Sequence, residues 1–211
     1  GTGRTREERD IEEELFEALS KQSWMNVLLQ TVKTLVLSRV TPRTLKLQPR
    51  PERTLNIPTI NPDPAASNLY SVSERVLLTW LNFYYEQYRR KLWENSQRGG
   101  IPPSRWVVNF DLDLIDGLVL ASVVGAFVPF LIEEYFAQMY TYPATPEQCL
   151  HNALKLINSL RAIGLEFDIQ AIEVTDPNPV ALMLLVYELY QKLPYYLPKE
   201  SVEFRGLMHS V

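Results

Sequence analysis

From about Thr5 to Val40 apolar side chains return mostly every three or four positions: Ile11, Leu15, Leu19, Met25, Leu28, Val32, Leu35 and Val36, with one step skipped after Leu19. That is the period of one face of an α-helix, so residues 1–40 are predicted to form a long N-terminal amphipathic helix. The next stretch, residues 41–70, holds six prolines: Pro42, Pro49, Pro51, Pro58, Pro62 and Pro64. Each ring removes a backbone donor and restricts the residue before it, so no continuous helix survives here and the stretch reads as an extended strap or linker. Residues 71–198 return to helical spacing, and 199–211 form a tail.

Four helices are predicted in that third segment. The first begins at Ser73, carries Val76, Leu77, Trp80, Leu81 and Tyr84 on one face, and ends before Gly99-Gly100. The second runs from Leu114 to about Val124. The third starts after Pro146, presents Leu150, Leu154, Ile157 and Leu160, and stops at Gly164; the fourth begins around Pro179 and carries Leu182, Leu185, Val186 and Leu189 until Pro194. Glycine and proline sit near the helix ends, where capping and termination favour them. No run alternates as a strand would, and no internal repeat is visible. The fold class is all-α.

Composition narrows the function. At 211 residues and 46% hydrophobic, the chain can bury one real core. A net charge of −4 argues against a general grip on nucleic acid, so any basic binding surface must be local. The longest uncharged apolar stretch, Gly117 to Ile132, is shorter than the ~20 residues that span a bilayer. The first fourteen residues are mostly charged, unlike a signal peptide, and the opening without Met reads as a piece of a longer protein. Cys149 stands alone, which leaves no internal disulfide and fits a reducing compartment.

The chemistry turns on "NFDLDLIDGLVL", residues 109–120, with three aspartates in a dozen residues. A calcium loop opening at Asp111 needs an oxygen ligand at its fifth position, glycine at its sixth and glutamate at its twelfth. Those positions hold Ile115, Asp116 and Ser122, and the metal reading fails. Acid–base catalysis needs carboxylates that converge with separated pKa values, and no His, Lys or Cys stands nearby to help. The aspartates are therefore read as helix-start residues: Asp113 as N-cap, Asp116 as the capping-box acid, and Gly117 as the point where a neighbouring helix approaches. Cys149 and His151 are two apart on a helix and do not face each other as nucleophile and base. His209 lies in the tail. The aromatics Phe83, Tyr84, Tyr85 and Tyr88 read as packing rather than as a sticky stripe. No Gly-rich phosphate loop is present, no catalytic constellation emerges, and no cofactor is implied.

Four stretches then fall into register. "LLTWLN" (77–82), "DLIDG" (113–117), "HNALKLINSLRAIGL" (151–165) and "DPNPVALMLLVYELYQKLP" (176–194) resemble a calponin-homology domain in order and approximate spacing over residues 72–198. The resemblance implies a bundle of four main helices with Trp80 near its centre, in a non-catalytic family whose members bind actin, microtubules or other proteins. The first helix is longer than usual for the family and leads into an enlarged connection, "RGGIPPSRWVVNF". Strong actin binders carry two such domains in tandem, and one is present here. "ERVLLTWLNFYYE", "PSRWVVNF", "GAFVPFLIEEYF" and "DIQAIEVTDPNP" look most like the domain of very large cilia- and flagella-associated proteins. That likeness implies an axonemal scaffold module contacting tubulin or a neighbouring axonemal protein, with a lone actin-binding module as the alternative.

Basic residues supply the candidate contact surface. Arg89, Arg90 and Lys91 are consecutive on the first core helix, with Arg98 and Arg105 beyond. Arg39, Arg43, Lys46, Arg50 and Arg53 face a single acid, Glu52, between positions 39 and 53. Clustered on an acidic chain, they suit an acidic polymer such as the microtubule surface. The N-terminal stripe is too long to leave in water. The strap is long enough for that helix to fold back across the core of a monomer, and a partner helix from another chain is the alternative.

Overall fold

Capping residues set the boundaries of most of the helices. The computed structural model describes residues 6–197, with backbone alone for residues 6–10. The helices are α1 (Arg6–Thr31), α2 (Pro42–Leu47), α3 (Val72–Trp93), α4 (Leu118–Phe127), α5 (Leu131–Glu134), α6 (Pro146–Ala162), α7 (Ala171–Thr175) and α8 (Pro179–Lys192), joined by short 3₁₀ turns. No strand occurs among the described residues. The predicted tail, with His209, lies outside them. At α3, Ser71 Oγ accepts the Glu74 N–H and the Glu74 carboxylate accepts the Ser71 N–H, closing a capping box. Thr145 with Pro146 and Asn178 with Pro179 start α6 and α8 in the same local way, an oxygen cap followed by a proline whose missing donor costs nothing there.

Trp80 of α3 is fully buried at the centre, edge-on to Tyr84 and Tyr190 and tilted against Phe127. Around it pack Leu77 and Leu81 of α3, Leu118 and Val124 of α4, Leu156 and Leu160 of α6, and Leu182 and Val186 of α8. Helices α3 and α4 approach closely at Gly125, where an added Cβ would stand 2.9 Å from Leu92 Cδ2. A larger residue there forces Leu92 to move.

Three expectations are corrected by this packing. The second core helix starts at Leu118, not Leu114, because Gly117 adopts φ +72° and separates α4 from the preceding 3₁₀ turn Leu112–Leu114. Gly117 also lies against α6, where a Cβ would meet Met139 and Asn152. On α6 the buried face is Ala153, Leu156, Ile157 and Leu160, while Leu154 points outward and Leu150 is half-buried. The buried polar Asn152 rotates that face: its amide donates to Asp116 O and Tyr140 O, and its Oδ1 accepts the Tyr140 N–H.

The proline-rich stretch is tied down along its length. Thr41 and Thr44 cap α2, Thr44 Oγ1 lies 2.9 Å from Tyr190 Oη, and Gln48 donates to Tyr190 O. Leu45, Leu55 and Ile60 enter the core. The third correction concerns α1, which does not fold back across the bundle. Its helix widens into a π turn at Val32–Val36, and α1 reaches α8 next to that base, with Leu29 partly buried. Leu29, Val32 and Val36 are partly buried, Leu37 and Val40 fully so, and Lys33 pairs with the buried carboxylate of Glu74 at 2.7 Å. Ser73 Oγ also donates to Val40 O at 2.8 Å. With Leu37–Gln48 fastened in this way, no free strap remains to reverse the direction of α1.

Candidate protein-interaction surface

The five cations singled out on α3 and the connection divide into two groups. Arg89 is buried: its guanidinium grips Glu86 through two bonds of 2.9 and 2.8 Å and donates to Pro102 O at 2.9 Å. This hydrogen bond from Arg89, helped by one from Ser104, holds the Glu86 carboxyl below its usual range. Arg105 forms a fork with Asp116, 2.5 and 2.7 Å, and its guanidinium lies over the Tyr85 ring. Arg98 is exposed but stacks on Tyr140 and approaches His151. Its carbonyl accepts the Thr141 N–H.

These contacts fasten the enlarged connection, residues 94–110, to α3, α4 and the α5–α6 loop. Asn82 exchanges two hydrogen bonds with Val107, and Tyr85 and Tyr142 donate to Pro103 O and Ile101 O. Arg89 and Arg105 thus act as anchors of the connection, Arg89 from a buried position and Arg105 from a partly exposed one. The Glu86–Arg89 spacing of three on a helix was a local sign of this for Arg89. For Arg105 no local sign existed.

Arg90 and Lys91 point outward, and the fold brings the strap to them. Lys91 Nζ lies 2.5 Å from Glu52 Oε1 and 4.7 Å from the centre of the Tyr88 ring, while Tyr88 Oη donates to the same carboxylate. These bonds, from Lys91 first and Tyr88 second, hold the Glu52 carboxyl below its usual range. Arg53, next to Glu52, is exposed, and Arg50 is half-buried with Nη1 on Leu55 O. The ion pair of Lys91 with Glu52 brings the strap segment that carries Arg50 and Arg53 against the end of α3 that carries Arg90. Arg43 and Lys46 on α2 are exposed further along the same segment.

The aspartate stretch has all of its carboxylates engaged. Asp113 Oδ2 accepts the N–H groups of Val108 and Asn109, so it closes the preceding turn instead of capping α4. Asp111 accepts the Leu112 N–H at the head of the 3₁₀ turn. Asp116 accepts the Leu118 N–H besides its pair with Arg105. Among the described residues no three His, Cys, Asp or Glu side chains gather as a metal would need. Calcium or magnesium at millimolar concentration is expected to leave the melting temperature unchanged; a saturable rise abolished in Asp113→Asn would overturn that. Cys149 is half-buried, and burial, then the charge of Asp116, pushes its thiol up and away from thiolate chemistry. His151 lies edge-on to Tyr140 with Nε2 3.1 Å from Gln138 O. Tyr84, Tyr85 and Tyr88 are core residues.

A helical bundle centred on a buried α3 tryptophan defines the class. The chain belongs to the calponin homology (CH) domain family, whose pattern matches residues 71–194. Over 202 residues it is 50% identical to the cilia and flagella-associated protein 47 of Mus musculus, an alignment covering 96% of this chain and 6% of that protein. The cilia- and flagella-associated protein 47 of Homo sapiens is 48% identical over 199 residues, 94% of this chain and again 6% of the relative. The chain thus spans a small fraction of the length of these relatives. No solved structure matches it.

Proposed function

We propose that this chain is a non-enzymatic cytoskeletal interaction module of a large ciliary or flagellar scaffold, and that it meets the microtubule surface through the basic patch of Arg50, Arg53, Arg90 and Lys91. The ciliary setting is inferred from the two relatives, by their names cilia- and flagella-associated proteins. The observation that carries the contact is the Lys91–Glu52 pair, which brings the segment 50–53 against the segment 90–91, with four cations between them on a chain of net negative charge. Such a patch attracts an acidic polymer over about a Debye length, ~8–10 Å at physiological salt. Arg89 and Arg105, being internally paired, hold the surface in shape and do not contribute to the contact.

Cosedimentation of the full chain with microtubules and with filamentous actin, run in parallel, tests this. The chain is expected to pellet with microtubules and to be released as salt rises. Arg53→Glu with Arg90→Glu should weaken pelleting at least about tenfold, ~1.4 kcal/mol, because like charges then face each other. Arg90 and Arg53 are exposed, so the melting temperature should hold. Pelleting with actin alone, or with neither filament, sinks the microtubule reading.

A further inference from the structure

Helix α1 is apolar on more of its circumference than the domain covers. Its base turns Leu29, Val32 and Val36 toward the bundle. Ile11, about five turns before Leu29 on the same side, is exposed, as are Leu15 and Leu19 beside it. On another side Trp24, Leu28 and Leu35 stand 67%, 52% and 68% exposed, with Val27 next to them. A helix apolar on several sides is ordinarily enclosed. This one is about 39 Å long and rooted rigidly by Lys33–Glu74 and the buried Leu37.

Charge along α1 is sharply divided, and it identifies what covers the helix. Residues 7–17 contain seven acids, Glu7, Glu8, Asp10, Glu12, Glu13, Glu14 and Glu17, against Arg9 alone. From Gln22 to Ser38 the one charged residue is Lys33, already paired with Glu74. A second copy is a poor occupant. Parallel pairing sets Glu13, Glu14 and Glu17 against their own counterparts, and antiparallel pairing sets them against the uncharged stretch around Trp24–Gln30. We infer that α1 docks a basic amphipathic helix of a different polypeptide segment, with an apolar stripe on Trp24, Leu28 and Leu35 and lysines or arginines at the end that meets Glu13–Glu17. This surface is separate from the basic patch and stands or falls independently of microtubule binding.

The probe is a synthetic helix-forming peptide with leucine at heptad a and d positions and lysine at the flanking ones, titrated into the full chain alongside the same peptide with glutamate for lysine. The lysine peptide is expected to bind at least tenfold more tightly. Trp24→Asp with Leu28→Asp should abolish binding although it makes the chain more acidic, which rules out mere charge attraction. The melting temperature of that variant should hold, since both side chains are exposed. Glu13→Lys, Glu14→Lys and Glu17→Lys together should reverse the preference between the two peptides. Light scattering of the chain alone should give a monomer at every concentration. Equal binding of both peptides, binding of neither, or a concentration-dependent dimer broken by Trp24→Asp overturns the proposal, the last by giving the face to a second copy.

Discussion

Replacing Trp80 with alanine is expected to cost about 3–5 kcal/mol and, for a domain of this size, to lower the melting temperature by roughly 10 °C or more. Trp80 is fully buried, so its removal opens a cavity bounded by rings on two distant elements, Phe127 of α4 and Tyr190 of α8. Neither ring can collapse into the gap without leaving its own packing. Trp80→Phe should cost clearly less: the indole Nε1 is buried without a hydrogen-bond partner among the described residues, so phenylalanine forfeits no bond to them. Trp106 is 72% exposed, and Trp106→Ala serves as the control, with an effect within about 0.5 kcal/mol. A melting curve for Trp80→Ala that overlays the wild type would take Trp80 out of the core.

The second large effect is expected at Asp116. Asp116→Ala removes both arms of the fork to Arg105 and the acceptor for the Leu118 N–H, leaving a guanidinium over Tyr85 without its counter-charge. A fully buried pair broken in this way costs about 3–5 kcal/mol. The Asp116 side chain is 12% exposed but that of Arg105 is 31%, so water recovers part of the loss and about 2–3 kcal/mol is expected. Two measurements check it. The urea midpoint should fall, and the amide of Leu118 should lose hydrogen-exchange protection. Arg105→Met combined with Asp116→Leu should regain most of the loss, because it removes the stranded charge along with the pair. An unchanged midpoint in Asp116→Ala would show that the pair is effectively solvated.

Much of the bundle was legible in the residues because its causes are local. The face of α3 from Val76 to Tyr84 and that of α8 from Leu182 to Leu189 follow from helical period alone, and both are buried. Thr145-Pro146 and Asn178-Pro179 start their helices within one turn of chain. The short helices α2, α5 and α7, of six, four and five residues, gave no such signal, since a single turn has no period to read. On α6 the period was right but its phase was not, because Asn152 is held inward by Asp116 and Tyr140.

The candidate surface was legible only as a list of cations. A charged side chain takes the nearest partner in space, and that partner is fixed by tertiary packing: Asp116 for Arg105, Pro102 O for Arg89, Glu52 for Lys91. The strap read as a linker because its prolines forbid a long helix. They do not forbid anchoring, which Thr44 and Gln48 achieve on Tyr190, more than 140 residues away. The amphipathic period of α1 determined that it needs cover; only the fold decided that the core does not supply it. Period and capping are properties of a few neighbouring residues, so the long helices of the bundle and the family resemblance could be read from the chain alone. Where a charge points and which apolar face stays open depend on groups far apart in the chain, and only packing brings those groups together.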